Sequence, residues 1–228
     1  MTAILLLSIL GLIGLFISFR LRLNLPRLEM IAISFPIGGA IFTFLYFLLN
    51  VIGAKFTFIN TLIIFLILIV VLSYRLKPSW TKGPIINLNF FSILALGIVL
   101  VMVISTLIYN WYWPPTGFDT LTMYDFRAQA FLRTQKLVLL DGGYYGSYPL
   151  LTSLLHLLAW QVKGNPSLIY SGFYASSILL MFALVSRLSS KLALPATALF
   201  AVIPELANHS ILAYTNLPYM FYLGFGTI

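Results

Sequence analysis

The chain has no cysteine, so neither a disulfide nor a thiolate metal site can form. Charge is scarce as well: Asp, Glu, Lys and Arg make up 8% of 228 residues, where soluble domains carry about 25%. So few charges cannot build a water-facing shell, which excludes an ordinary soluble globule. Only five residues are acidic, and the thirteen basic ones form no dense run, so the net charge of +8 does not read as a nucleic-acid surface. A phosphate-cradling glycine loop, a serine elbow and a zinc-binding helix motif are also missing.

What is there is hydrocarbon. Hydrophobic residues make 61% of the chain, with a mean hydropathy of +1.03. Apolar runs at 3–19, 30–52, 57–74, 88–110, 166–186 and 193–207 each reach or approach the length a helix needs to cross hydrocarbon. They are continuous, without a barrel's alternation, and a backbone in lipid must bond within its own segment. The expected fold is all-α: a polytopic transmembrane helical bundle of six spans, with an extracytoplasmic loop carrying an amphipathic surface helix. Four N-terminal transmembrane helices fall in 1–110, the loop in 111–149 and further membrane helices in 150–228. Pro36, Pro195 and Pro204 lie in or near these runs, where a missing N–H can kink a helix.

Arg20, Arg22 and Arg27 come after the first run instead of preceding it, so it reads as a retained, reverse-oriented anchor and not as a secretory signal. The last apolar stretch holds only about a dozen residues, short of the ~20 a span needs. The chain therefore reads as the N-terminal part of something larger. Basic residues cluster at Arg20/Arg22/Arg27, Arg75/Lys77/Lys82 and Arg187/Lys191, and the positive-inside rule places all three in the cytoplasm. The loop at 111–149 then lies outside, in a plasma (inner) membrane. The apolar run 150–162 reaches only ~20 Å as a helix. If it crossed the bilayer the third cluster would be thrown outside, so it is read as non-crossing.

Three of the five acidic residues, Asp119, Asp125 and Asp141, sit in that loop. At 100° per residue Leu121, Tyr124, Ala128, Phe131, Leu132 and Gln135 share one side of a helix, and Thr122, Asp125, Gln129, Arg133 and Lys136 a neighbouring one. This describes a surface helix, ended by the turn signal Asp141-Gly142-Gly143. Asp119 precedes it, either as an N-cap or as a general base or metal ligand. Asp125 with Gln129 and Arg133 has the spacing of a solvated face, and Arg127 projects from the other flank toward lipid headgroups or a phosphorylated ligand. Trp111, Tyr112, Trp113, Tyr144, Tyr145 and Tyr148 form an aromatic belt or a sugar-stacking surface. His156 and His209 read as hydrogen-bonded packing residues, and neither belongs to a metal motif.

The string Gly117-Phe118-Asp119-Thr120-Leu121-Thr122-Met123-Tyr124 to Arg127-Ala128, then Tyr148-Pro149-Leu150-Leu151-Thr152-Ser153-Leu154-Leu155-His156, resembles the first extracytoplasmic loop of GT-C glycosyltransferases. The likeness is to the protein-mannosyltransferase and aminoarabinose-transferase branch. Pro204-Glu205-Leu206-Ala207-Asn208-His209 and Tyr214-Thr215-Asn216-Leu217-Pro218 resemble the second extracytoplasmic stretch of the same enzymes. The resemblance implies an enzyme that moves a sugar from a polyprenyl-phosphate donor to an acceptor on the outer face. The family's loop carboxylate maps onto Asp119 as general base. Asp125, Arg127, Arg133, Tyr148 and His209 become substrate-binding candidates, the arginines for the carrier phosphate. In many members the loop comes after the first span, whereas four apolar segments precede it here. A second acidic residue beside Asp119 is missing, so no metal and no cofactor is predicted, although some relatives use a divalent ion. The expected partners are membrane lipid and the polyprenyl-phosphate donor, with no nucleic acid. The rival readings are a transporter or lipid flippase, which the absence of acids within the apolar runs disfavours, and a non-catalytic membrane subunit.

Overall fold

The computed structural model describes residues 2–23, 25–78, 80, 81, 83, 89–138 and 149–226. They form ten α-helices and one π-helical turn, with no strand among the described residues. In order these are α1 (Thr2–Arg20), α2 (Arg27–Val51), α3 (Phe58–Ser73), α4 (Phe90–Tyr112), the π turn (Thr120–Asp125) and α5 (Phe126–Thr134). Next come α6 (Leu150–Gln161), α7 (Leu168–Leu188), α8 (Ala193–Ala201), α9 (Pro204–Leu212) and α10 (Asn216–Phe225). Polar residues mark the starts of two of the apolar helices. Thr57 accepts a hydrogen bond from Asn60 N (3.2 Å) to cap α3, and Asn89 accepts from Ser92 N (2.8 Å) to cap α4.

Helix α7 is the centre. In its most apolar window 67% of residues are inside the molecule, against 17% for α4, and Tyr170, Phe173 and Tyr174 have no exposed surface. It touches α1, α2, α4, α8, α9 and α10. Helices α1 and α2 pack closely because Gly14 and Gly38 meet. A Cβ on Gly38 would stand 1.8 Å from the Leu10 carbonyl oxygen, and one on Gly14 1.8 Å from that of Ser34. Helices α3 and α4 turn long apolar faces outward, among them Ile59, Leu66, Val70, Phe90, Leu94 and Val101. A soluble protein would not leave that much apolar surface uncovered, and a bilayer covers it.

Three helices, α2, α4 and α7, are long and apolar enough to cross a membrane; α1, α3 and α6 are apolar but shorter. The run at 193–207 is not one span. It is broken at Val202 and Ile203 into α8 and α9, because Pro204 has no N–H to continue the ladder and instead occupies the first turn of a new helix. The expected six spans are corrected accordingly.

The three basic clusters converge on one end of the bundle. Arg20 donates to the last carbonyls of α3, Leu72 (3.0 Å) and Val71 (3.1 Å), and to that of Tyr74, so the first and second clusters adjoin. Arg187 closes a two-pronged ion pair on Glu29, which joins the third. Glu29 is 3% exposed and belongs to α2, which begins before the apolar run does. The opposite end is knitted by side-chain amides. Asn50 bridges the Gln135 carbonyl (3.3 Å) and the Leu137 N–H (2.8 Å), Asn110 donates to Ser171 and Ser210 (2.8 Å each), and Asn165 donates to the Trp113 carbonyl (2.5 Å). Leu137 before α6 and Asn165 after it are thus at the same end. Helix α6 starts beside Ala40 and Thr43, midway along α2, and runs toward the Asn50 end, where Gln161 meets Tyr46 and Thr61. It never reaches the basic end.

Candidate functional site

The loop residues Gly117 to Tyr124 dock on the turn between α9 and α10. The Thr120 hydroxyl donates to the Leu212 carbonyl (2.6 Å) and Tyr124 Oη pairs with Thr215 Oγ1 (2.9 Å). Gly117 must lack a side chain here: a Cβ would fall 2.4 Å from the Tyr214 ring and 2.8 Å from the Leu212 carbonyl oxygen. Beneath them Ala213 holds a left-handed φ of 59°, a conformation disfavoured for a residue with a Cβ. The stretches around Thr120 and around Ala213 are therefore in direct contact.

Asp119 is not a cap. Its backbone is already helical (φ −64°, ψ −32°), the first helical N–H, from Leu121, goes to the Gly117 carbonyl (3.0 Å), and the carboxylate makes no capping hydrogen bond. The side chain is half-buried and makes no hydrogen bond among the described residues. A carboxylate so placed has its lone pairs free for a ligand.

Asp125 behaves in the opposite way. It is 3% exposed, where the wheel expects a solvated face. The π turn inserts one residue, which takes Leu121 out of line with Tyr124, Ala128 and Phe131, and Asp125, at the edge of that buried face, is drawn in by its partners on α6. Leu121 is consequently 48% exposed, while Asp125 turns under α5. There its Oδ1 accepts from the Trp160 indole (2.6 Å) and lies 3.3 Å from His156 Nδ1, and its Oδ2 accepts from Gln129 (2.7 Å). His156 Nε2 meets Tyr170 Oη at 2.9 Å.

The polar chain thus runs from the loop through α6 into α7. Burial pushes the Asp125 carboxyl up, but the hydrogen bonds from His156, Trp160 and Gln129 outweigh it and hold the group below the usual carboxylate range. Burial pushes the His156 imidazole down despite the Asp125 charge. An ionised Asp125 beside a neutral His156 assigns the proton to Nδ1 and leaves Nε2 to accept from Tyr170.

The remaining candidates divide. Arg127, expected at a headgroup-facing flank, is 6% exposed, at the opposite edge of the buried Tyr124, Ala128 and Phe131 face. Arg133 is exposed on α5. His209 Nε2 lies 2.8 Å from Glu205 Oε1 and 3.2 Å from Asn216 Nδ2, and its ring is 6.0 Å from that of Tyr214, which adjoins Gly117. His209 therefore shares the neighbourhood of the Asp119 turn. Tyr148, Tyr144, Tyr145 and the Asp141-Gly142-Gly143 turn lie outside the described residues. No group of three His, Asp or Glu side chains among the described residues is placed to hold a metal ion.

Sequence reasoning does not mark Trp160 or Tyr170, and it marks His156 only for packing. One signal was available: His156 and Trp160 stand four apart on α6, as Asp125 and Gln129 do across the end of the π turn, so each pair can face one way. What the pairs face is invisible without the fold. No family model, curated protein or solved structure matches the chain.

Proposed function

We propose that this chain is a membrane glycosyltransferase that passes a sugar from a polyprenyl-phosphate donor to an acceptor hydroxyl on the extracytoplasmic face, with Asp119 as general base. The observation that carries the reading is the half-buried Asp119 carboxylate, free of hydrogen bonds among the described residues on a turn pinned by Thr120 and Tyr124. A general base needs such fixed backbone and open lone pairs. In the reaction the acceptor oxygen attacks the anomeric carbon, its proton passes to Asp119, and the carbon–oxygen bond to the carrier phosphate breaks. Arg133 is exposed near the same end for that phosphate, and Glu205–His209–Asn216 supplies polar contacts across the turn. An apolar cleft of about 460 Å³ between α2 and α6, lined by Thr43, Phe44, Phe47, Leu150 and Leu154, suits the donor's hydrocarbon tail. The positive-inside rule sets the Asp119 end outside, in a plasma (inner) membrane.

Asp119→Asn and Asp119→Ser in the full-length protein should keep donor binding and lower transfer by roughly 10² to 10⁴. Transfer at the wild-type rate by either variant would overturn the assignment and favour a non-catalytic subunit. The break between α8 and α9, beside Glu205, is the one observation that favours a transporter, since discontinuous helices form transporter sites. Loss of substrate flux in Glu205→Gln without any transferase activity in the wild type would select that reading.

A further inference from the structure

We infer that the end of the bundle opposite Asp119 binds the headgroup phosphate of an anionic glycerophospholipid, in a site built on Arg27 and Trp80. Arg27 is the exposed first residue of α2, and its guanidinium lies 5.1 Å above the centre of the Trp80 ring. Trp80 is itself held in place: its ring meets Phe19 edge-on at 5.3 Å, and the next residue, Thr81, donates its N–H to the Leu25 carbonyl (3.3 Å). The indole therefore covers one side of the guanidinium. The N–H edge has no acceptor among the described residues and is free for phosphate oxygens, the geometry in which arginine binds them best. A cavity of about 340 Å³ lies between Arg27, Trp80, Thr81 and Gly83.

The surroundings lack a counterion. Arg22, Arg75, Lys77 and Lys191 are exposed at this end, and the one acidic side chain among the described residues there, Glu29, is buried and taken by Arg187. The first-turn N–H groups of α2 add a positive dipole end, with Pro26 offering no side-chain cap. Height also fits. Leu21, Phe90 and Phe91 are exposed and apolar at this end, so hydrocarbon begins beside the site, and a half-exposed tryptophan belongs at headgroup level. A soluble phosphate would meet the same donors but would gain nothing from that apolar flank.

Native mass spectrometry of the full-length protein, released from nanodiscs of phosphatidylglycerol and phosphatidylcholine, tests the site. Phosphatidylglycerol should stay bound to the wild type and phosphatidylcholine should not. Arg27→Gln should reduce retention about fivefold, the worth of one basic residue at an anionic surface. Lys136→Gln removes an equal charge from an exposed residue at the other end and should change nothing. Trp80→Leu keeps every charge and should also weaken retention, which guards against a folding defect confined to the arginine variant. Equal retention by wild type and both basic-end variants, equal loss in Lys136→Gln, or equal retention of the two lipids would overturn the inference. Displacement of the lipid by millimolar glycerol 3-phosphate would overturn the lipid as source and leave a soluble phosphate.

Discussion

The Trp160 indole donates to Asp125 Oδ1 at 2.6 Å, joining a residue at the end of the π turn to one near the end of α6. Asp125 accepts from Gln129 as well and lies against the fully buried His156, so the one carboxylate organises three donors. Unpaired, each buried donor would cost about 1–3 kcal/mol. This arrangement ties the Asp119 turn to the core through a second route besides Thr120.

Asp125→Ala should therefore be the most damaging single change in the loop, with a loss of several kcal/mol, and Trp160→Phe should cost about 1–3 kcal/mol. Asp125→Asn still offers one acceptor oxygen and should fall between the wild type and alanine. Thermal unfolding of the three variants in one detergent checks the order. An alanine variant as stable as wild type would show that the network contributes nothing.

Acid should weaken the fold in two stages. Both His156 and Asp125 have folded pKa values below their ordinary ones, so in each case the unfolded chain binds the proton more readily. Their stabilisation is complete above the unfolded values and lost as pH falls: first below about 6.5, where unfolded histidine protonates, then below about 3.8, where unfolded aspartate does. His156→Gln should abolish the first stage and keep the second. Melting temperature against pH is the measurement, and an unchanged upper stage in the glutamine variant would refute the assignment to His156.

Gly117→Ala should separate the loop from the α9–α10 turn, because the new methyl meets the Leu212 carbonyl, a backbone atom that cannot swing aside. A cost of about 1–3 kcal/mol is typical of such overpacking. Gly97→Ala, which meets nothing within 4 Å, is the matched control. Protease cleavage near residue 117 should quicken in the first variant only.

The chain's lack of cysteine makes topology easy to probe. Single cysteines at Lys136 and Asn165 should label from one side with an impermeant thiol reagent, and those at Lys77 and Lys191 from the other. The expectation rests on the shared end of Leu137 and Asn165 and on the meeting of the basic clusters through Arg20 and the Glu29–Arg187 pair. Opposite labelling of Lys136 and Asn165 would mean that α6 crosses the bilayer.

By itself the sequence determined the helical class and the burial of the chain in an apolar medium. Those depend on composition and run length, because a backbone without water must bond within its own segment whatever its neighbours are. It also marked Asp119, Arg133 and His209 as polar groups beside hydrocarbon. The tertiary structure decided the rest. Packing around both edges of the Tyr124, Ala128 and Phe131 face put Asp125 and Arg127 inside, where a regular 100° wheel puts them at the surface. Pro204 divided the last run into α8 and α9, a break that run length cannot reveal. The Asp125–His156–Tyr170 chain joins residues from three elements 14 to 31 positions apart, and Glu29–Arg187 spans 158. Periodicity reports only which neighbours along one helix share a face. Which faces meet, and so which buried carboxylate finds its donors, is set by packing between helices far apart in the chain.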